Sequence, residues 1–279
     1  MVMQLPPPTA RALQLVDDVV AERQGGKNAA YFTGIAGEWR ARVEAYVNAG
    51  GSPATVPTWP AVNARKKSFL NLYLSPKEGA AQRLILDVLR EHDLTACPGC
   101  GEAGRPNTLD HYLPKDEYPH FCITPHNLFP MCDACQKEKG TKTGDHADPR
   151  FFLHPYFDLF IAEQVLELTV QAPFTTPLFD LHPSPGLMPE QERLVARHIR
   201  ELAIVPRYTR FFREQFRRLL RLVSKMRASG QDVRASLELF KSNAETPTLN
   251  GWEHIFYDAV LNNPDFLEFL ESENLPAHL

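Results

Sequence analysis

The sequence predicts a mainly α protein of the α+β kind, in which a cysteine-stapled core is embedded between N- and C-terminal helical regions. Three observations carry this expectation. Apolar residues recur at helical spacing through residues 1–94 and most of 151–279. Residues 95–150 instead are rich in Gly, Pro, His and Cys and lack that periodicity. One alternating stretch, "EQVLELTV", reads as a strand, with "FTTPLFDL" as its partner. The expected division is therefore 1–94, 95–150 and 151–279.

The elements follow in order. "TARALQLVDDVVAERQ" is a helix ending before Gly25-Gly26, and "NAAYFTGIAGEWRARVEAYVNAGG" is a second, stopped by Gly50-Gly51. "SPATVPTWP" is a Pro-punctuated loop. "KEGAAQRLILDVLREHD" is an amphipathic helix running towards Cys97. After the cysteine-rich segment and the β stretch, helices are expected at about 189–204, 207–228, 231–243 and 251–262, with a short one near the C-terminus. No internal repeat or low-complexity segment is seen.

With 279 residues, 43% of them hydrophobic and 23% charged, the chain can bury a substantial core. A net charge of −4 does not mark the whole molecule as a polyanion binder. The N-terminus lacks a basic segment followed by an apolar run, and no stretch reaches the ~18 apolar residues of a membrane span. A cytoplasmic protein without membrane association is the expectation.

Five cysteines do not make a disulfide scaffold. Four of them form two C-x-x-C pairs, Cys97/Cys100 and Cys132/Cys135, and Cys122 is left over. "CPGCG" supplies a tight turn, and "MCDACQKEKG" sets its pair at the start of a short helix ending at Gly140. Two such pairs suit one tetrahedral, structural Zn²⁺. A segment so poor in apolar surface needs such a staple, so zinc binding would supply much of its folding free energy. Four thiolates leave no open coordination position, which argues against catalytic zinc; the other readings of the four cysteines are a redox dithiol or unpaired buried thiols.

Between and around the pairs stand "LDHYLPK" and "PHNLFPMCDACQKEKG". With the two C-x-x-C pairs, these stretches resemble the HNH (ββα-metal, treble-clef zinc) endonuclease superfamily over about 45 residues. The wider pattern, with "HPYFD" following and helices on both flanks, resembles stand-alone bacterial anti-phage HNH nucleases. The resemblance implies a zinc-stapled β-hairpin followed by a helix. It places Asp110-His111 at the end of the first strand, Asn127 before the second, and Gln136 on the helix.

Phosphodiester hydrolysis needs a base for water, a cation on the phosphate, and alignment. His111 is the candidate base, because a neutral imidazole held by a carbonyl can accept a proton near pH 7. Asp110 is a hard oxygen donor suited to a catalytic Mg²⁺ or Mn²⁺. Asn127 resembles the family residue that holds the hairpin loop and the base. Gln136 is the departure: it falls where the family carries Asn or His as second metal ligand, with the same amide oxygen on a longer stem. Lys115 and Lys139 are candidate phosphate contacts. His120, His126 and His146 read as loop histidines, and His154 as packing beneath the site.

The core is not basic: residues 97–150 hold six Lys/Arg against eight Asp/Glu. The helix at 207–228 is the opposite, a net of +7, with Arg207, Arg210, Arg213, Arg217, Arg221 and Lys225 on one stripe and a Phe/Leu face behind. That stripe is either a phosphate-backbone track or a solvated face paired with acidic neighbours. Arg65-Lys66-Lys67 is a smaller patch of the same kind. The leading expectation is a metal-dependent DNA endonuclease that acts on double-stranded DNA and serves anti-phage defence with a defence-system partner protein. The alternatives are a non-catalytic zinc module that binds nucleic acid or protein, and an RNA-cleaving toxin.

Overall fold

The computed structural model describes residues 2–276. About half of the chain is helical, and two small two-stranded sheets complete it. No helix among the described residues is long and apolar enough to cross a membrane. The chain packs as two compact units, one formed by residues 5–94 and 105–159, the other by 2–4, 95–104 and 160–276. The cysteine-rich segment is thus shared: 95–104 belongs to the second unit and 105–150 to the first.

The first unit holds α1 (Ala12–Glu22), α2 (Ala29–Asn48), α3 (Lys66–Leu74) and α4 (Ala81–Arg90). It continues through β1 (Thr108–His111), β2 (Leu128–Met131) and α5 (Asp133–Lys139). Its core is aromatic, with Phe69 meeting Phe32 and Trp39 edge to face at 5.4 and 5.1 Å. The basic triplet Arg65-Lys66-Lys67 opens α3, a nine-residue helix whose Pro-flanked sequence hid it; its Phe69 and Leu72 are buried. The α4 helix begins later than the amphipathic stretch from Lys77 suggests, because Gly79 takes a positive φ of 72° just before it.

Strands β1 and β2 pair antiparallel, with Asp110 opposite Phe129 and His111 opposite Leu128. Leu109 and Leu128 pack on Leu86 of α4, which seats the hairpin on the helices. The long connection from Tyr112 to Asn127 carries two short 3-10 turns, each opened by proline. Helix α2 grips this connection: Trp39 Nε1 donates to the carbonyl of His120 at 2.7 Å. Gly51, just past α2, is required by close approach. A Cβ there would stand 2.7 Å from Tyr46 Oη and 2.9 Å from His154 Cδ2.

The second unit holds β3 (Leu166–Gln171) paired antiparallel with β4 (Leu178–Pro183), as the alternation predicted. Around it lie α6 (Pro189–Glu201), α7 (Ile204–Ala228), α8 (Val233–Asn243), α9 (Trp252–Leu261) and α10 (Pro264–Ser272). The α6/α7 break falls at Ala203, whose φ is 47°. Helix α7 starts earlier than expected because Pro206 sits in its first turn, where a missing N–H is no loss. Tyr208, Phe212, Phe216, Leu219, Leu220 and Val223 bury the inner face of α7.

Candidate metal and active site

The Cys97/Cys100 pair lies in a tight turn. Cys97 N donates to Glu102 O, and Gly101 N returns to Cys97 O at 2.7 Å with Gly101 at φ 70°. Its carbonyls are spoken for within the second unit: His198 Nε2 donates to Gly99 O and Trp252 Nε1 to Cys100 O, both at 2.6 Å. Cys132 caps α5, its sulfur accepting from Cys135 N. The four sulfurs all lie within 4.8 Å of one another. Tetrahedral zinc with Zn–S of about 2.3 Å asks for sulfurs roughly 4 Å apart, so the donor set fits a metal of that kind. Cys97, Cys100 and Cys135 are buried and Cys132 is half-buried.

The hairpin brings Asp110, His111, Gln136 and Lys139 together. His111 is buried, and its Nε2 is 2.9 Å from the carbonyl of Cys122. A carbonyl only accepts, so Nε2 carries the proton and Nδ1 is left with the lone pair. Burial pushes the imidazole down to about 4, against the pull of the Asp110 charge and the Cys122 carbonyl. His111 is therefore neutral at pH 7. Tyr73 packs edge-on to its ring at 4.4 Å and donates its hydroxyl to Leu109 O.

Asn127 is fully buried, and its side-chain amide ties the connection together. Its Oδ1 accepts from Leu113 N at 2.7 Å and its Nδ2 donates to Leu113 O and Phe121 O. The next carbonyl along, that of Cys122, is the one that orients His111. Asn127 thus reaches His111 through the loop rather than by touching it. Tyr46 of α2 donates to Asn127 Oδ1 at 3.1 Å and also meets His154 Nε2. His154 is fully buried against Tyr112, whose hydroxyl accepts from Arg150 of the Arg150–Asp158 pair.

Lys139 stands elsewhere than expected. Its side chain is 1% exposed, so it does not present its charge to solvent as a phosphate contact. The ammonium donates to His111 O at 2.6 Å and lies 3.1 Å from Asp110 Oδ2, with the Phe152 ring 5.8 Å away. A buried ammonium requires such pairing, which explains the position. Asp110 Oδ2 is buried and, although close to Lys139, makes no aligned hydrogen bond. Gln136 Nε2 reaches Asp110 Oδ1 at 3.4 Å. Lys115 is partly exposed, 3.8 Å from Asp116.

Arg207 also departs from the expected stripe. It pairs with Glu102 at 2.8 Å and points Nη1 at Cys100 Sγ at 3.5 Å, so it serves the cysteine turn. Arg210, Arg213, Arg217 and Arg221 lie exposed on α7. The Cys122 carbonyl, Tyr73 and Tyr46 were not singled out in the sequence. A backbone carbonyl has no sequence signature, and a tyrosine 36 or more residues away reads as core.

No protein-family model matches the chain, and no solved structure matches it. The chain is similar to "Protein ea31" of Escherichia phage lambda, 26% identical over 190 residues. The match covers 61% of this chain and 62% of that protein, so the chain spans about three fifths of the relative's length.

Proposed function

We propose that this chain is a metal-dependent HNH endonuclease that hydrolyses phosphodiester bonds in DNA. The observation that carries the reading is His111: a neutral imidazole, fixed by the Cys122 carbonyl, beside an Asp110 carboxylate that keeps one buried oxygen without a hydrogen bond. That oxygen faces only the Lys139 ammonium, 3.1 Å away, and a hard cation would have to share it, so Asp110 fits as a ligand of Mg²⁺ or Mn²⁺. Gln136 would be the second, its amide turned to offer Oε1, an orientation that hydrogen bonding assigns. A divalent ion there would neutralise charge on the phosphate and the leaving oxygen. The chain's own residues do the rest. His111 Nδ1 takes the proton from water, Asn127 holds the loop that aligns it, and the four-cysteine site, filled by structural Zn²⁺, fixes the frame.

His111→Ala is expected to reduce plasmid cleavage by at least 10²-fold, the ordinary weight of a general base. Zinc content and far-UV circular dichroism should stay as in the wild type, with some loss of thermal stability from the cavity. Cleavage at the wild-type rate would overturn the assignment. Matched DNA and RNA substrates separate a DNase from an RNA-cleaving toxin. A role in anti-phage defence is tested by plaque counts with and without His111→Ala, since protection that survives loss of the base has another cause.

One observation favours a second reading, a non-catalytic zinc module. Lys139 already stands by Asp110 as a counter-charge, so the carboxylate is compensated without a divalent ion. Titration with Mg²⁺ and Mn²⁺ decides between them: an absence of metal-dependent nicking on every substrate supports the binding module.

A further inference from the structure

We infer that the outer face of α7 is a track for the phosphate backbone of duplex nucleic acid. Arg210, Arg213, Arg217, Arg218, Arg221 and Lys225 are all exposed there. Among the described residues none of the six forms an ion pair, although Glu214 lies on the same face. The chain pairs many of its other cations: Arg42 with Glu38, Arg83 with Asp87, Arg207 with Glu102 and Lys241 with Asp258. Unpaired arginines on one face repel one another, and that cost is offset only when an anion arrives. The stripe runs about 22 Å from Arg210 to Lys225 at 1.5 Å per residue. The inner face is clamped by Phe212, Phe216, Leu219 and Val223, so the charges ride on a rigid rod.

The chemistry of the face selects among polyanions. Five of the six cations are arginine, whose planar fork matches phosphate oxygens bidentately. Single strands are held by exposed aromatics that stack on bases, whereas Tyr208, Phe212 and Phe216 of α7 are buried and the half-buried Phe211 packs on Tyr208 and Trp252. A membrane surface needs an apolar face to insert, and the apolar face of α7 is inside its own unit. What remains is regular, rigid and sequence-independent charge, which suits a duplex backbone.

The test is fluorescence anisotropy of the full chain with a mixed-sequence DNA duplex, without added Mg²⁺ or Mn²⁺, across a range of salt. About five phosphate contacts predict log K falling with log[salt] at a slope near −4 to −5. The triple variant Arg213→Gln, Arg217→Gln, Arg221→Gln should flatten that slope by about 3 and weaken binding at least tenfold at about 0.1 M salt. The corresponding triple Arg→Lys variant should keep most of the slope. A triple Gln variant that binds like wild type while keeping its circular dichroism overturns the inference. So does equal or tighter binding to poly-glutamate or to anionic vesicles, which would point to an acidic protein or a lipid surface. The inference rests on the nuclease reading only for what the binding serves. A chain that binds through α7 and never cuts defeats the nuclease reading alone; one that cuts, with affinity indifferent to α7, defeats this one alone.

Discussion

At the scale of single residues, Lys139 is the position where burial overrules sequence logic. A lysine in "CQKEKG" near a cysteine turn reads as a surface charge for phosphate, yet it lies inside, against Asp110 and the His111 carbonyl. Sequence order showed which residues sit near one another in the hairpin and helix. It did not show which side chain turns inward, because that depends on Phe152 and β1 closing over α5. The energetic consequence is direct. Lys139→Met leaves the Asp110 carboxylate buried without its counter-charge, and breaking a buried pair in that way costs about 3–5 kcal/mol. Urea denaturation of the variant should show that loss, and Asp110→Asn in the same background should restore part of it. Additive losses in the double variant would mean that the two groups do not interact. Asn127 teaches the complementary lesson. Its importance was legible from its place before β2, but its partners Leu113, Phe121 and Tyr46 are a matter of tertiary contact.

At the scale of elements, the hairpin and α5 are too small to hold themselves together. Two four-residue strands and a seven-residue helix bury little surface, and isolated elements of that length are marginal in water. The cysteine spacing made the need for a staple visible in the sequence, and the converging sulfurs agree with it. Helices α1, α2, α4 and α6 to α10 were legible for a different reason: each carries an apolar stripe long enough to register at a period of 3.6. The α3 helix was not, because nine residues between a Pro-rich loop and Pro76 offer too few turns to show a period. The prediction at this scale concerns the metal. The purified, reduced chain should carry about one zinc, and Cys132→Ser should lower that content and open the segment 97–135 to protease while far-UV circular dichroism changes little. A reduced wild-type chain that holds no metal, and resists protease in that segment all the same, would remove zinc from the account.

At the scale of the whole molecule, the chain keeps neutral histidines where water is excluded, and this ties stability to pH. His120 is fully buried beside Trp59 and Phe121, and neither ring nitrogen has a hydrogen-bond partner among the described residues. Burial, with the Arg42 charge adding to it, pushes its imidazole down to about 3. His154 is driven well below its ordinary value by burial and then by Arg150. Unfolded, both would titrate near ~6.5. Below that pH the unfolded chain binds protons that the folded chain refuses, so stability is fully present above about 6.5 and is lost as the pH falls towards the folded values. His120 should lower stability by on the order of 1 kcal/mol between roughly pH 7.5 and 5.5, and His154 adds to the loss in the same direction. Carboxylates titrate mostly below that window. A metal held by the four cysteines would also compete with protons as the pH falls, so the informative quantity is a difference between two chains that keep the same cysteines. His120→Phe fills the same aromatic cavity without a titrating group. Denaturant midpoints measured at both pH values should show its acid loss smaller than that of the wild type by on the order of 1 kcal/mol. Equal losses in the two chains would mean that His120 is protonated in the folded state, and that its surroundings are wetter than its burial implies.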